Sequence, residues 1–348
     1  MSENKEKVVI GMSGGVDSSV AAYLLKEAGY QVIGVTMQMW GSENAESIAD
    51  AKKIAEDLKI PHYVLDFRKA FKEEVIRYFM EEYAKGRTPN PCVICNRKVK
   101  WEALLAWAQQ MDAYYIATGH YARVERLENG RFAIKKSSVD KKDQTYALFN
   151  LTQEQLAHTK MPIGEYEKEK VREIAVKIGL TVAGKPDSQE ICFIPDHDYA
   201  GYIERESGKH FAEGNFVAAD GTALGRHQGI IHYTIGQRKG LGLAMGKPVF
   251  VTKILPQSNE VVIGSNEELF TTRLTAEQMN YMAEEKFFAG MEMTAKIRYA
   301  HKGERCRVIS CGNDRLEIEF DYPVRAITPG QAVVFYEGDY VLGGGLIR

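Results

Sequence analysis

The sequence predicts an α/β protein, with an N-terminal doubly wound parallel sheet followed by a small central domain and a C-terminal β-barrel. Short apolar runs alternate with amphipathic helical patterns from Val8 to Thr118. A Gly/Ser-rich turn separates the first run from the first helix. From about residue 207 onward, glycines and short β-type runs dominate, the spacing of small barrels or sandwiches.

Val8-Val9-Ile10-Gly11 reads as a strand. Val20, Ala21, Leu24 and Leu25 then mark one face of a helix closed by Gly29. Residues 31–37 form a buried-type strand, a charged helix runs over 44–59 until Pro61 stops it, and 62–67 is the next strand. Helices over 69–85 and 97–110 flank the loop Thr88-Pro89-Asn90-Pro91, and 114–118 restores a strand. Ser13 to Ser19, Met37 and Gly119-His120 all lie at carboxyl ends of these strands, where such sheets bind ligands. A hairpin turning at Asn129-Gly130 spans 121–137, and helices follow near 152–157 and 167–178. Later β runs fall at 249–255, 260–263, 294–299, 305–310, 316–320 and 332–336. Domain borders are expected near 206 and 275, giving units 1–206, 207–275 and 276–348.

With 348 residues, 45% hydrophobic and 26% charged, and a mean hydropathy of −0.31, the composition excludes disordered and low-complexity classes. No apolar run approaches the roughly 18 residues of a membrane helix. The polar residues before Val8 hold no secretory core. Five cysteines are too few and odd in number for a disulfide scaffold. A soluble cytoplasmic protein is expected. The net charge of −2 advertises no nucleic-acid partner, so any such partner must be read by a local patch.

The strongest local signal is Ser13-Gly14-Gly15-Val16-Asp17-Ser18-Ser19 between a strand and a helix. Two glycines let the backbone approach an anion, and free N–H groups at the helix start point toward it. Asp17 either caps the helix or faces a bound Mg²⁺. A plain glycine-rich turn is the competing reading. The Gly-Lys-Ser/Thr ending of a Walker loop and the spacing of a dinucleotide fingerprint are both missing. Phosphate binding is indicated, whereas γ-phosphoryl transfer and hydride chemistry are not.

Ser13 to Ser18 resembles the signature of the PP-loop ATP pyrophosphatases, which adenylate a carbonyl or carboxylate and release pyrophosphate. Further stretches resemble the bacterial tRNA-specific 2-thiouridylase family in that family's order. They are 86–96 (GRTPNPCVICN), 117–121 (ATGHY), 142–144 (KDQ), 187–194 (DSQEICFI), 229–240 (GIIHYTIGQRKG) and 328–331 (TPGQ). The resemblance implies that O2 of the wobble uridine is activated as an adenylate and that sulfur then displaces AMP. The product would be 2-thiouridine in the tRNAs for Lys, Glu and Gln, with ATP and Mg²⁺ as cosubstrates. Sulfur would come from a donor such as a cysteine desulfurase or a persulfide carrier.

Carried over position by position, the resemblance implies that Gly11, Met12, Ser13, Gly14, Gly15, Val16, Asp17 and Ser18 hold the ATP phosphates. Met37 and Gly119 would contact the adenosine end, and Asn90, Pro91 and Cys92 the target base. His120, Lys142, Asp143, Gln144, Arg298, Tyr299 and Gln331 match tRNA-contacting positions. Taken singly, Met37 reads as core and Lys142-Asp143 as a solvated turn.

Cys95 matches the family's catalytic cysteine, and Cys192 the one that carries a persulfide before the two form a disulfide. At position 92 the resemblance breaks, because the family commonly has Asp and this sequence has Cys. Cys92, Cys95 and Cys192 would together leave one iron of a [4Fe–4S] cluster open to hold sulfide for transfer. That cluster is the expectation set slightly ahead of the plain persulfide route. A Cys-x2-Cys pair alone suggests half a zinc site, but Cys306 and Cys311 read as packing residues on or beside a late strand.

Arg226, Arg238, Lys239 and Lys247 form one basic stretch; Lys296, Arg298, Lys302, Arg305 and Arg307 form another. Either suits phosphate contacts or a solvated face. Tyr233 and Tyr299 suit base stacking or burial. Two other functions compete with tRNA sulfur transfer. A PP-loop amidotransferase or ligase acting on a small carboxylate leaves the cysteines unexplained, as does a non-catalytic RNA-binding protein.

Overall fold

The computed structural model describes residues 6–41, 45–138, 143–184, 191–312 and 314–348. Its first sheet is parallel, in the order β3-β2-β1-β4-β7, built from β1 (Lys7–Gly11), β2 (Gln31–Gln38), β3 (His62–Asp66), β4 (Tyr115–Ala117) and β7 (Thr159–Lys160). The chain leaves β1 into α1 (Val16–Glu27) and later returns to β1's other side as β4, so β1 and β4 straddle the switch in strand order. Val8, Val9 and Ile10 are fully buried because helices cover both faces.

The helices around the site depart from simple periodicity. Residues 68–84 are continuously helical, with a π-helical stretch at Lys72–Ile76. Residues 91–110 form a second continuous helix with a π-helical stretch at Cys95–Ala103. This helix begins well before the expected residue 97. Asn90 caps it by accepting the Cys92 N–H at 3.1 Å, and Pro91 supplies a preset φ in the first turn. Cys92 and Cys95 therefore sit on a helix start rather than in a loop.

A second sheet, in the order β10-β11-β8-β9, contains β8 (Gly214–Val217), β9 (Ala223–His227), β10 (Phe250–Leu255) and β11 (Glu260–Gly264). The third closes into a barrel. Its strands β12 (Phe270–Tyr281), β15 (Arg315–Arg325), β14 (Glu304–Cys311), β13 (Glu292–Lys296), β16 (Ala332–Glu337) and β17 (Tyr340–Ile347) pair in that order, and β17 pairs back to β12. The border expected near 275 falls inside β12. The hairpin of β5 (Ala122–Arg126) and β6 (Phe132–Lys136) joins this third sheet through Lys135 opposite Tyr340, which ties the first unit to the last. Among the described residues, no helix is long and apolar enough to cross a membrane.

Candidate active site

Three pieces of backbone meet at the carboxyl edge of the parallel sheet. The glycine-rich loop leaves β1, Met37 and Met39 lie at and just past the end of β2, and Gly119 follows β4. Gly14 has φ +73°, and a Cβ there would strike the Ser47 carbonyl. A Cβ on Gly119 would lie 2.7 Å from the Ser18 nitrogen, so only glycine lets the two segments close on each other. Within the loop, Ser18 Oγ accepts the Ser13 N–H at 3.1 Å, and Ser19 Oγ donates to the Gly15 carbonyl at 2.7 Å. Met12 and Val16 are buried, so their side chains serve the core and only their backbone is offered to a ligand.

Asp17 does not cap α1. The N-cap is Gly15, and no side chain caps the helix, which leaves the first N–H groups for an anion. Instead, Asp17 accepts from Lys168 Nζ through both carboxylate oxygens at 2.8 Å and from the Tyr121 hydroxyl at 2.8 Å. Both oxygens are engaged by protein donors, and the carboxylate remains partly exposed beside the loop. Lys168 is buried at the first turn of the helix Lys168–Lys177. A lysine there opposes the helix dipole, and that local anomaly was its only signal in the sequence.

Two of the cysteines gather near the end of β2. Cys95 is buried, with its Sγ 3.9 Å from Met39 Sδ. Next to Cys192, Phe193 packs among Phe71, Phe79 and Tyr202 at ring-centroid distances of 5.4–5.5 Å. Met39, Cys95 and Phe193 belong to one apolar cluster, which brings Cys192 toward Cys95. Burial pushes the Cys95 thiol up to about 11, and it pushes Cys192, an exposed residue whose thiol is crowded by protein, up to about 12. Cys92, exposed at the helix start, raises both further, whereas the Lys100 charge opposes both shifts. Lys100 had no assigned role in the sequence. Arg97 donates to Asn150 and Lys98 pairs with Glu102, but Lys100 has neither hydrogen bond nor ion pair among the described residues.

Cys92 acts on Cys95, and Cys95 and Cys92 both act on Cys192, each pushing the affected thiol up. Even so, among the described residues no group of three or more His, Cys, Asp or Glu is gathered to hold a metal ion. As they stand, Cys92, Cys95 and Cys192 do not make the ligand set of a [4Fe–4S] cluster. Cys306 is buried in the barrel core as expected, while Cys311 is exposed rather than packed.

The expected RNA-contacting residues differ widely in what they do here. His120 packs against Trp101 with ring centroids 5.4 Å apart and bonds Thr118 at 2.9 Å; burial, then Lys100, drive its pKa down to about 3, so it is neutral. Lys142 lies outside the described residues, as do 185–190 of the stretch leading to Cys192. Asp143 accepts from Thr145 at 2.7 Å, and Gln144 accepts the Tyr121 N–H at 2.8 Å, so both brace the chain. Arg298 donates to the Arg325 carbonyl, Tyr299 is half exposed, and Gln331 donates to the Thr88 carbonyl at 2.8 Å. Arg305 pairs with Glu292 and Arg307 with Glu319, which mutes the second basic stretch. In the first stretch, Arg226 pairs with Glu213 and Tyr233 is buried, but Arg238 and Lys239 are exposed with no ion pair among the described residues. A concavity of about 690 Å³ lined by Tyr114, Arg123, Phe132 and Lys160 contains none of the expected site residues.

Comparison with known proteins agrees with this architecture unit by unit. Family models match residues 6–196 (tRNA methyl transferase HUP domain), 201–265 (tRNA methyl transferase PRC-barrel domain) and 271–347 (Aminomethyltransferase beta-barrel domain). A tRNA-specific 2-thiouridylase of Lachnoclostridium phytofermentans is 60% identical, covering 98% of this chain and 99% of its own. The chain belongs to the tRNA-specific 2-thiouridylase family. A second thiouridylase, from Clostridioides difficile, is 52% identical over 99% of this chain and 98% of its own. Among solved structures, an NMN synthetase from Francisella tularensis shares 18% identity over 60% of this chain and 80% of that one, at a TM-score of 0.36.

Proposed function

We propose that this chain uses ATP to replace O2 of the wobble uridine with sulfur in the tRNAs for Lys, Glu and Gln, acting in the cytoplasm. The observation that supports it most is the convergence, at one sheet edge, of an uncapped, glycine-rich helix start with the buried Cys95 and the exposed Cys192 near it. The loop 11–18 holds the triphosphate through backbone N–H groups, which stabilise charge as pyrophosphate departs. Met37 and Gly119 bound the adenosine end, and Asn90, Pro91 and Cys92 face the base.

O2 of the uridine attacks the α-phosphorus, and the bond to pyrophosphate breaks. A persulfide on Cys192, loaded by a desulfurase or persulfide carrier, attacks C2 through its terminal sulfur. The C2–O2 bond breaks and AMP leaves with the electron pair. The Cys95 thiolate then attacks Cys192 Sγ, forming the Cys95–Cys192 disulfide and releasing 2-thiouridine. An external dithiol restores both thiols. With both thiols raised by burial, the Lys100 ammonium is the nearby charge that favours their anionic forms.

The test is incubation with Mg·ATP, a transcribed tRNA for Glu and a persulfide donor. AMP, pyrophosphate and a 2-thiouridine at the wobble position are expected. ADP as product, or AMP release driven by a small carboxylate without RNA, overturns the proposal.

A further inference from the structure

The loop that leads to Asn90 is held by the other two units, and Thr88 is where they meet. Its N–H donates to the Pro329 carbonyl at 2.8 Å, and its carbonyl accepts from Gln331 Nε2 at 2.8 Å. Its hydroxyl bonds the Thr234 hydroxyl at 3.1 Å. All three polar groups of one residue are thus satisfied across unit boundaries. Immediately before it, Arg87 pairs with the buried Glu82 at 2.7 Å and reaches Glu277 on β12 at 3.6 Å. Gly86 packs so closely on the central unit that a Cβ would lie 2.8 Å from Ile254 Cγ2.

The barrel side of this contact is itself rigidly held. Gly330 donates to the Ile347 carbonyl at 2.9 Å, and the Ile347 N–H donates to the Gln331 carbonyl at 2.8 Å, which fixes the turn 328–331 to the last strand. Gly330 has φ +88°, and a Cβ there would stand 3.0 Å from both Arg87 Cβ and the Thr88 nitrogen. Two residues beyond Thr88, Asn90 caps the helix that carries Cys92 and Cys95. A shift of Thr88 therefore moves the cap, the base-facing residues and the first thiol together.

We infer that Gln331 and Gly330 are positioning residues: through Thr88 they set the height at which Asn90, Pro91 and Cys92 meet the target base. The inference rests on the proposed function for the identity of that base. It assigns the Gln331 Nε2 donor to protein rather than to RNA. Its effect belongs to the chemical step, because a misplacement of about 1 Å at a reacting centre costs on the order of a hundredfold in rate.

The experiment compares Gln331→Leu, Gln331→Lys and Gly330→Ala with the unaltered chain. It reads tRNA Kd, the rate of AMP release at saturating tRNA, and hydrogen exchange of the peptide spanning 86–95. With Gln331→Leu, exchange should accelerate and AMP release should fall about ten- to a hundredfold, while tRNA Kd stays within about twofold. Gln331→Lys keeps a donor and should recover part of the rate. Gly330→Ala should reproduce the loss without touching the amide. A tenfold weaker Kd with the saturated rate preserved would make Gln331 an RNA contact and overturn the inference. Unchanged exchange in both Gln331→Leu and Gly330→Ala would overturn it as well. The exchange readout needs no turnover, so absence of tRNA-dependent AMP release in the unaltered chain would count against the proposed function alone.

Discussion

Lys168 Nζ stands 2.8 Å from each carboxylate oxygen of Asp17, joining the start of a helix 151 residues away to the glycine-rich loop. Lysine is buried in this pair and the carboxylate is partly exposed. Removing the ammonium leaves Asp17 facing the arriving triphosphate with its charge uncompensated. Lys168→Met should raise the KM for ATP and cost about 1–3 kcal/mol of stability, below the figure for a fully buried pair. Asp17→Asn in the same chain should return most of the stability, because the two losses share one interaction. Denaturant midpoints of the singles and the double decide it; strictly additive losses would show that the pair is not coupled.

Neutral His120 gives a pH signature. Its pKa is depressed to about 3 in the fold and is ordinary, near 6.5, in the unfolded chain. The unfolded chain therefore binds one more proton between those values. The stabilising contribution is complete above pH 6.5 and is lost as pH falls toward 3, with a slope of about 1.4 kcal/mol per pH unit. His120→Gln should flatten that part of the stability curve, measured by urea unfolding from pH 7 to pH 4. Parallel curves for the two chains would reject the assignment.

The exposed pair Arg238 and Lys239 tests the RNA surface. Replacing both with Gln should weaken tRNA binding and reduce its salt slope by about 0.9 per lost duplex contact, or about 0.7 per single-strand contact. ATP affinity should hardly move, since the pair lies outside the first unit. Binding titrations from low to high salt provide the readout, and an unchanged slope would mean a merely solvated face.

Local chemistry explains what was legible. The loop 11–18 announces itself because a strand, two glycines and a helix start lie within a few residues. Strand β17 did not, because Gly343-Gly344-Gly345 looks like a turn. In the barrel, a Cβ on Gly344 would come 2.5 Å from Phe149 Cδ2, and one on Gly345 would come 2.6 Å from Met279 Sδ, so these glycines admit close packing instead. Asn90 and Pro91 did carry a helix-start signal, a cap followed by proline, but the apolar pattern behind them is blurred by the π-helical stretch at Cys95–Ala103. Lys168, Tyr121 and Thr88 act on residues far along the chain, and no local pattern encodes such pairings.

Cys92 separates the two routes of sulfur transfer. In the persulfide route only Cys95 and Cys192 exchange bonds, so Cys95→Ser and Cys192→Ser should abolish thiolation while tRNA-dependent pyrophosphate release persists for one turnover, and Cys192→Ser should release no AMP by sulfur displacement. Cys92→Asp should keep thiolating, since its side chain is exposed and its N–H still reaches the Asn90 cap. In a cluster route all three cysteines are equally necessary, and anaerobically purified chain would carry iron that Cys92→Asp loses. Cys311→Ala should change little, and Cys306→Ala should cost packing energy on the order of 1 kcal/mol without affecting chemistry. The measurement is iron per chain alongside thiolation from a persulfide donor, for all five substitutions. Full-rate thiolation by iron-free chain is expected. Activity that tracks iron content, with Cys92→Asp as inactive as Cys95→Ser, would reject the persulfide route and require a movement that gathers the three thiols.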